Sequence, residues 1–124
     1  MDNIKSSHES RVRTEPIGFD VRHPDNHIEG SYLRFRDSVD RTFFELEQLL
    51  LSKHEDYGPK NISESPGGPL NGLRVRMHDK LARLNNLVDS GADPKHESLE
   101  DTFKDMANYA IIGLLVLRGQ WDNK

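Results

Sequence analysis

The chain has 124 residues, enough for one domain with a modest core, and its 17 basic and 21 acidic side chains give a net charge of −4. This balance argues against a general nucleic-acid binder, and the absence of cysteine excludes disulfides and thiolate metal sites. Residues 110–117, the longest apolar run, cannot span a bilayer, and residues 1–28 lack the apolar core of a signal peptide, so we expect a cytoplasmic protein.

The first 30 residues are polar and show no sustained apolar period. Pro16 and Pro24 interrupt any regular element there. We therefore predict that residues 1–30 form an N-terminal arm, either mobile or lying against the body or a partner subunit. Residues 31–124 would then form the folded domain.

The pattern becomes helical after Ser31, a residue type typical of an N-cap. Glu47 borders the apolar stripe of this helix and is its acid best placed to face the interior. Gly58 and Pro59 form a stop signal, and a surface loop is expected over residues 61–72. The stripe itself, at steps of three and four, consists of Tyr32, Phe35, Val39, Phe43, Leu46 and Leu50.

A second helix is predicted from about residue 73 to residue 88. Its apolar stripe consists of Leu73, Met77, Leu81, Leu84 and Val88. Arg76, Asp79 and Arg83 share a narrow arc beside this stripe, and Lys80 lies on its other border. Arginine and lysine in this position suit a phosphate ligand, whereas intrahelical ion pairs such as Asp79 with Arg83 are the plainer interpretation.

The last helix has two possible beginnings. Asp93, followed by proline, could be its N-cap, or Ser98 could be the cap, with Asp101 three residues later. The first start places Glu97 inside the helix and the second leaves it outside. Glu97, Asp101 and Asp105 are spaced by four and share a face, where like charges repel. A divalent cation held by oxygen ligands would relieve that repulsion.

An apolar face is predicted on the opposite side of this helix. It consists of Phe103, Met106, Ala107, Ala110, Leu114 and Leu117. Residues 110–117 are apolar all round, so we expect them to be buried against another subunit, with Gly113 allowing a close helix approach. The fold predicted from these periods is all-α, an antiparallel bundle of three to four main helices that oligomerisation completes.

Three motifs carry a resemblance to a known family. They are Lys53-x-x-Asp56-Tyr57-Gly58, Arg76-x-x-Asp79-Lys80-x-x-Arg83-Leu84 and Glu97-Ser98-x-x-Asp101-Thr102-x-x-Asp105-x-x-Asn108-Tyr109. Together they resemble the nucleotide-modification-associated domain family found largely in phages, which is related to the MazG-like all-α nucleoside triphosphate pyrophosphatases. The resemblance covers about residues 35 to 118 and leaves the arm outside.

The resemblance implies a helical core that assembles as a homodimer or homotetramer. It also implies Mg²⁺-dependent hydrolysis of (d)NTPs to (d)NMP and pyrophosphate, with Mn²⁺ as a possible substitute. The chain departs from the E-x-x-E and E-x-x-D signature of the MazG type, because Gln48 follows Glu45 at the matching step. The ligand set therefore has to be chosen from the chemistry of this chain.

Phosphoanhydride hydrolysis needs a metal ion near the phosphates and a carboxylate that positions the attacking water. We expect Asp101 and Asp105 to be the main metal ligands, with Glu97 completing the acid cluster and Asp79 as a further ligand or as a partner of Arg83. Glu47 or Glu97 would act as the base. The residues expected to bind the nucleotide are Lys53, Asp56, Tyr57, Lys60, Asn61, Arg76, Lys80, Arg83 and Asn108.

Two other functions fit parts of the sequence. His54, His78 with Asp79, and Asp101 or Asp105 match the order H…HD…D of another phosphohydrolase superfamily, whose histidine-ligated sites favour transition metals. A non-catalytic helical oligomer that binds nucleotides or a partner protein is the second alternative. In that case the acidic face would form ion pairs with arginines of a neighbouring subunit. No membrane and no direct nucleic-acid contact are expected.

Overall fold

A computed structural model describes residues 26–91, 93–95 and 97–122, and these form helices joined by short connections. The helices are α1 (Asn26–Tyr57), α2 (Lys60–Ser63), α3 (Pro69–Ser90) and α4 (Leu99–Leu117). The described residues contain no strand. The all-α prediction is therefore confirmed, with three long helices and one short one. Residues 1–25, most of the predicted arm, lie outside the described residues.

The described residues divide into two units, with the boundary between Thr42 and Phe43. In the first unit α1 begins at Asn26, five residues before the predicted cap at Ser31. Hydroxyl groups help to satisfy carbonyls along this helix, since Ser38 Oγ donates to the Arg34 carbonyl at 3.1 Å. Phe35, part of the predicted stripe, is 69% exposed.

The predicted loop over residues 61–72 contains more helix than expected. Residues 60–63 form α2, and α3 begins at Pro69 rather than near residue 73. Proline favours the first turn of a helix because its fixed φ is already helical and its missing N–H is not needed there. The positive φ of 96° at Gly68 turns the chain just before this start.

The core of the second unit lies between α2, α3 and α4. Ile62, Leu73 and Ile112 form a buried cluster, one from each of these helices. Leu50, Tyr109, Val116 and Trp121 pack against this cluster. Burial of these side chains, rather than helix propensity alone, holds the short α2 in place.

Helices α3 and α4 run antiparallel. Lys80 in the middle of α3 contacts Asp105 near the start of α4, whereas Leu73 near the start of α3 faces Gly113 towards the end of α4. Helix α1 contacts α4 through Asn108, whose Nδ2 donates to the Leu46 carbonyl at 3.2 Å. The second unit therefore has the antiparallel packing that the periodicity predicted for α3 and α4.

The orientation of α4 differs from the predicted one. Thr102, Asn108 and Ile112 are its buried residues, while Phe103 and Leu117 on the predicted apolar face are 56% and 69% exposed. A helix that is apolar all round gives little information about which face turns inward, and here the face with Asn108 and Ile112 does so. Burial of the other face against a second subunit stays a prediction.

In α3 the buried apolar side chains are Leu73, which belongs to the predicted stripe, and Leu87, which does not. Leu81 and Val88, both in that stripe, are 46% and 61% exposed. In the described part of the chain, no helix combines the length and apolar content needed to cross a membrane.

Candidate functional site

A cavity of about 370 Å³ opens between the end of α1, α2, α3 and α4, all within the second unit. Its volume lies in the range of small-molecule sites, about 300–1,000 Å³. The lining combines basic, aromatic and apolar side chains. It consists of Leu50, Lys53, His54, Tyr57, Gly58, Asn61, Ile62, Arg76, Lys80, Asp105, Asn108, Tyr109, Ile112 and Trp121.

Core residues form the apolar part of this lining. Leu50, Ile62 and Ile112 belong to the core or pack directly on it, and so does the ring of Tyr109. The wall is therefore part of the rigid core and not a loop added to it. A cavity built on such packing keeps its shape when a ligand enters, because packed interiors yield little.

Lys80 joins two carboxylates at the cavity. Its ammonium is 2.8 Å from Glu97 Oε2 and 3.0 Å from Asp105 Oδ2. Lys53 from α1 donates to the other oxygen of Asp105, Oδ1, at 3.0 Å. The Asp105 side chain is only 15% exposed, so this carboxylate lies half-buried between two lysines. We call Lys53, Lys80, Glu97 and Asp105 the charge network.

The charge network shifts two pKa values. Burial of Asp105 acts to raise the pKa of its carboxyl, but hydrogen bonds from Lys53 and Lys80 outweigh it and the pKa is lowered. Burial of Lys80 likewise opposes its charge, yet the hydrogen bonds to Glu97 and Asp105 leave its pKa raised. Both groups are therefore charged at neutral pH.

Arg83 extends the charge network on the side of Glu97. Its Nη2 donates to the main-chain carbonyl of Glu97 at 2.5 Å. Its Nε lies 3.3 Å from Glu97 Oε1, within ion-pair distance although it makes no hydrogen bond. Glu97 precedes α4, whose N-cap is Ser98 with its Oγ accepting from the Asp101 N–H at 3.0 Å. The second of the two predicted helix starts is therefore the observed one.

Arg76 is the third basic group in the lining, and it has a structural role as well. Its Nη2 donates to the Asn61 carbonyl at 3.0 Å and its Nη1 to the Gly72 carbonyl at 3.1 Å. The bond to Asn61 ties the α2 segment to α3, whereas the bond to Gly72 lies within α3. Gly72 itself is buried because the chain at Ser65 passes very close to it. Arg76 thus stabilises the part of the cavity wall that contains Asn61, and its own guanidinium lines the cavity.

Most of the residues predicted to bind a nucleotide lie in this lining. They are Lys53, Tyr57, Asn61, Arg76, Lys80 and Asn108, and the predicted metal ligand Asp105 joins them. Glu97 and Arg83 do not line the cavity but contact Lys80 or each other in the charge network. The structure thus brings together residues from all three motifs.

Five predicted site residues lie elsewhere. Asp56, Asp79 and Asp101 are exposed and are not among the cavity-lining residues. Lys60 is paired with Glu64 at 3.7 Å on the surface. Glu47 is half-buried and also lies outside the lining.

The carboxylates of the charge network are neutralised by amines and a guanidinium in this arrangement. In the part of the chain that the structure describes, no three His, Asp or Glu side chains converge to hold one ion. His78 is exposed, whereas His54 lines the cavity, so the order H…HD…D does not correspond to a cluster among the described residues. A metal here would have to take further ligands from the substrate and water.

Two further lining residues, His54 and Trp121, were not among the residues expected to bind a nucleotide. Their rings meet edge to face with centroids 4.8 Å apart. The Nδ1 atom of His54 is buried and has no hydrogen-bond partner. The sequence signal for Trp121 was weak. It consisted of a single tryptophan shortly after the glycine that ends the last helix, a large aromatic residue that tends to be buried.

The described residues form an all-α fold with a cavity lined by basic, aromatic and apolar side chains. The family model of the nucleotide modification associated domain 1 matches residues 53–117, more than half of the chain, and the chain belongs to this family. The match begins at Lys53 and spans the three motifs. Searches of curated proteins and of solved structures gave no match.

Proposed function

We propose that the chain is a Mg²⁺-dependent nucleoside triphosphate pyrophosphohydrolase that converts (d)NTPs to (d)NMP and pyrophosphate. The observation that carries this proposal is the cavity, whose lining combines Lys53, Arg76 and Lys80 with Asp105 and with aromatic rings. This is the combination that a triphosphate attached to a nucleobase requires. The description of the family supports a nucleotide as the ligand. The hydrolytic reaction is what the resemblance of the motifs to MazG-like enzymes implies.

Phosphate can bind the basic groups of the cavity by replacing part of the charge network. An ammonium has three donors, and Lys80 uses its donors on Glu97 and Asp105 at distances of 2.8 to 3.0 Å. Lys53 is 48% exposed and donates to Asp105 Oδ1 through one of its three N–H groups, so the other two can reach a ligand. Phosphate oxygens entering here would compete with Asp105 for both lysines.

That competition would release a carboxylate where the reaction needs one. Mg²⁺ bound with a triphosphate neutralises its oxygens and acidifies a coordinated water. Such an ion takes most of its ligands from phosphate and water and needs only one or two protein carboxylates. Asp105 and Glu97 would hold it, each with a carboxylate that a lysine now neutralises. Glu97 or Glu47 would position the attacking water.

The test is a screen of canonical and modified (d)NTPs with Mg²⁺ or Mn²⁺, followed by chromatography of the products. We expect equal amounts of monophosphate and pyrophosphate, with turnover abolished by a chelator. Release of orthophosphate instead would show that a different phosphoanhydride bond is hydrolysed. Equal rates with and without the chelator would contradict the metal dependence.

Two matched variants locate the carboxylates. Asp105→Asn should lower turnover by at least about 100-fold, since it removes an essential acid. Asp101→Asn changes the same residue type one helical turn earlier, at an exposed position. Loss in both would support the two aspartates as joint ligands. Loss in Asp105→Asn alone would restrict the site to Asp105 and Glu97. Full activity of Asp105→Asn would contradict the proposed mechanism.

A second candidate is a nucleotide-binding protein without catalysis. It is favoured by the pairing of each network carboxylate with a lysine or arginine, which satisfies their charges without an ion. Calorimetry would then detect (d)NTP binding while the product assay stays blank. In either case the setting that we propose is phage or host nucleotide metabolism in the cytoplasm.

A further inference from the structure

The chain after α4 forms one wall of the cavity. Trp121 lines the cavity, yet the family match ends at residue 117. Residues 118–122, which we call the tail, therefore contribute to the cavity from outside the matched residues. The tail packs on the core of the second unit through Trp121.

A tight turn directs the tail back to the cavity. Gly119 has a φ of 68°, in the left-handed region that favours glycine. The N–H of Gln120 donates to the Leu115 carbonyl at 2.8 Å, and that of Arg118 donates to the Leu114 carbonyl at 3.1 Å. These bonds end the helix and fix the direction in which Trp121 leaves it.

Two hydrogen bonds hold the tail against the α2 segment. The indole N–H of Trp121 donates to the Pro59 carbonyl at 3.0 Å. Ser63 Oγ donates to Asp122 Oδ2 at 2.7 Å. The stretch between these two contact points also contributes Asn61 and Ile62 to the lining. The tail and this stretch therefore form one continuous wall.

We infer that Trp121 contacts the nucleobase and makes the site selective for nucleoside phosphates over inorganic polyphosphates. The inference rests on the proposed function. The one polar atom of the indole already has a partner, so what it offers a ligand is its aromatic surface. Every nucleobase has a π-face, so stacking on such a ring favours a base without choosing among them. The lysines would bind the phosphates of both ligand classes.

Intrinsic fluorescence tests this inference without any substitution, because Trp121 is the only tryptophan in the chain. The parent protein is titrated with a deoxynucleoside triphosphate carrying a methylene bridge between its α and β phosphorus atoms, which cannot be hydrolysed there. A parallel titration uses inorganic tripolyphosphate. We expect saturable quenching by the nucleotide analogue and binding of tripolyphosphate, seen by calorimetry, without comparable quenching.

Substitutions of Trp121 separate the base contact from the phosphate contacts. Trp121→Leu should weaken binding of the nucleotide analogue by about tenfold, the scale of one base–aromatic stack, and leave tripolyphosphate affinity unchanged. Trp121→Phe keeps an aromatic ring and should retain most of the affinity for the nucleotide analogue. This variant also keeps the inference testable if Trp121→Leu does not fold. Phe35→Leu, at an exposed aromatic outside the lining, is the matched control.

The outcomes distinguish the inference from the proposed function. If the analogue binds without changing the emission, or binds Trp121→Leu as tightly as the parent, the base lies elsewhere and only the inference is wrong. If both ligands lose affinity equally in Trp121→Leu and in Trp121→Phe, the residue is structural and the inference fails again. If the parent binds neither ligand, the proposed function fails and the inference with it.

Discussion

Lys80 is the residue on which the charge network depends, since it bridges Glu97 and Asp105. Lys80→Met would leave these two carboxylates half-buried and without their shared cation. We expect the free energy of unfolding to fall by about 1–3 kcal/mol at neutral pH, the cost of removing one partner of a charged hydrogen bond. Urea denaturation followed by circular dichroism measures this change.

The matched control is Lys60→Met. Lys60 pairs with Glu64 at 3.7 Å, and both side chains are more than half exposed. Exposed pairs contribute little, so the change should stay below about 0.5 kcal/mol. An equal loss in the two variants would mean that Lys80 acts only as a surface lysine, contrary to its place in the charge network.

The pH dependence of stability follows from the lowered pKa of Asp105. In the unfolded chain this carboxyl titrates near its ordinary value of about 3.9. Its contacts with the two lysines therefore stabilise the fold above that pH, and this stability is lost as the pH falls through the lowered pKa. Asp105→Asn should be less stable than the parent at neutral pH, and the difference should shrink in acid. A difference that grows in acid would contradict this assignment, and thermal unfolding across the acid range measures it.

At the scale of the helices, two glycines should respond oppositely to the same substitution. A Cβ at Gly72 would lie 2.2 Å from Ser65 Oγ and 2.5 Å from Ser65 Cβ, so Gly72→Ala must displace the cavity wall. We expect a loss of about 1–3 kcal/mol, typical of overpacking. A Cβ at Gly113 would meet Leu73 Cδ1 at an ordinary 3.9 Å. Gly113→Ala should therefore raise stability by up to about 1 kcal/mol, the helix preference of alanine.

Thermal unfolding of both alanine variants decides this prediction. Destabilisation by Gly113→Ala, with an accompanying change in molecular mass, would instead indicate a close approach of another subunit at that glycine. Tolerance of Gly72→Ala would mean that the Ser65 segment moves freely, and the wall would then be less rigid than its contacts with Arg76 indicate.

The helices also show what periodicity can predict. The positions of α1, α3 and α4 followed from apolar spacing and stop signals, and the Ser98 cap was one of two sequence alternatives. The apolar spacing did not predict which face of α4 is buried, because Ile112 and Leu114 are both strongly apolar. Tertiary contacts determine that Ile112 is buried and Leu114 is exposed. The short α2 depends on the burial of Ile62. A helix of four residues is too short for its apolar spacing to predict that burial.

Across the whole molecule, the site was predictable where the motifs named charged residues that meet. Lys53, Lys80 and Asp105 come from three helices, and only the fold brings each lysine ammonium within 3.0 Å of an Asp105 carboxylate oxygen. The prediction that these three residues belong to one site came from the family resemblance and from their charges. The tail was not predictable, since a tryptophan beyond a helix stop gives no sign of the Pro59 carbonyl that binds it.

Large apolar side chains remain exposed on two helices of the second unit. On α1 they include Phe43, Phe44 and Leu51, and on α4 Phe103, Leu114 and Leu117. Extensive apolar exposure of this kind marks interaction surfaces. We predict that a second copy of the chain covers them, giving the homodimer or homotetramer that the family resemblance implies. Sedimentation at micromolar concentration should then report two or four times the monomer mass.

Leu117→Lys tests this assembly, because Leu117 is 69% exposed and lies outside the cavity lining. A lysine there would be buried without a partner in the interface, so the dissociation constant should rise at least about 100-fold. Asn85→Lys adds the same charge at an exposed polar position of α3 and should leave the assembly unchanged. A parent protein that sediments as a monomer at all concentrations would contradict the prediction. If Leu117→Lys dissociates the assembly and still binds nucleotide, each subunit contains a complete binding cavity.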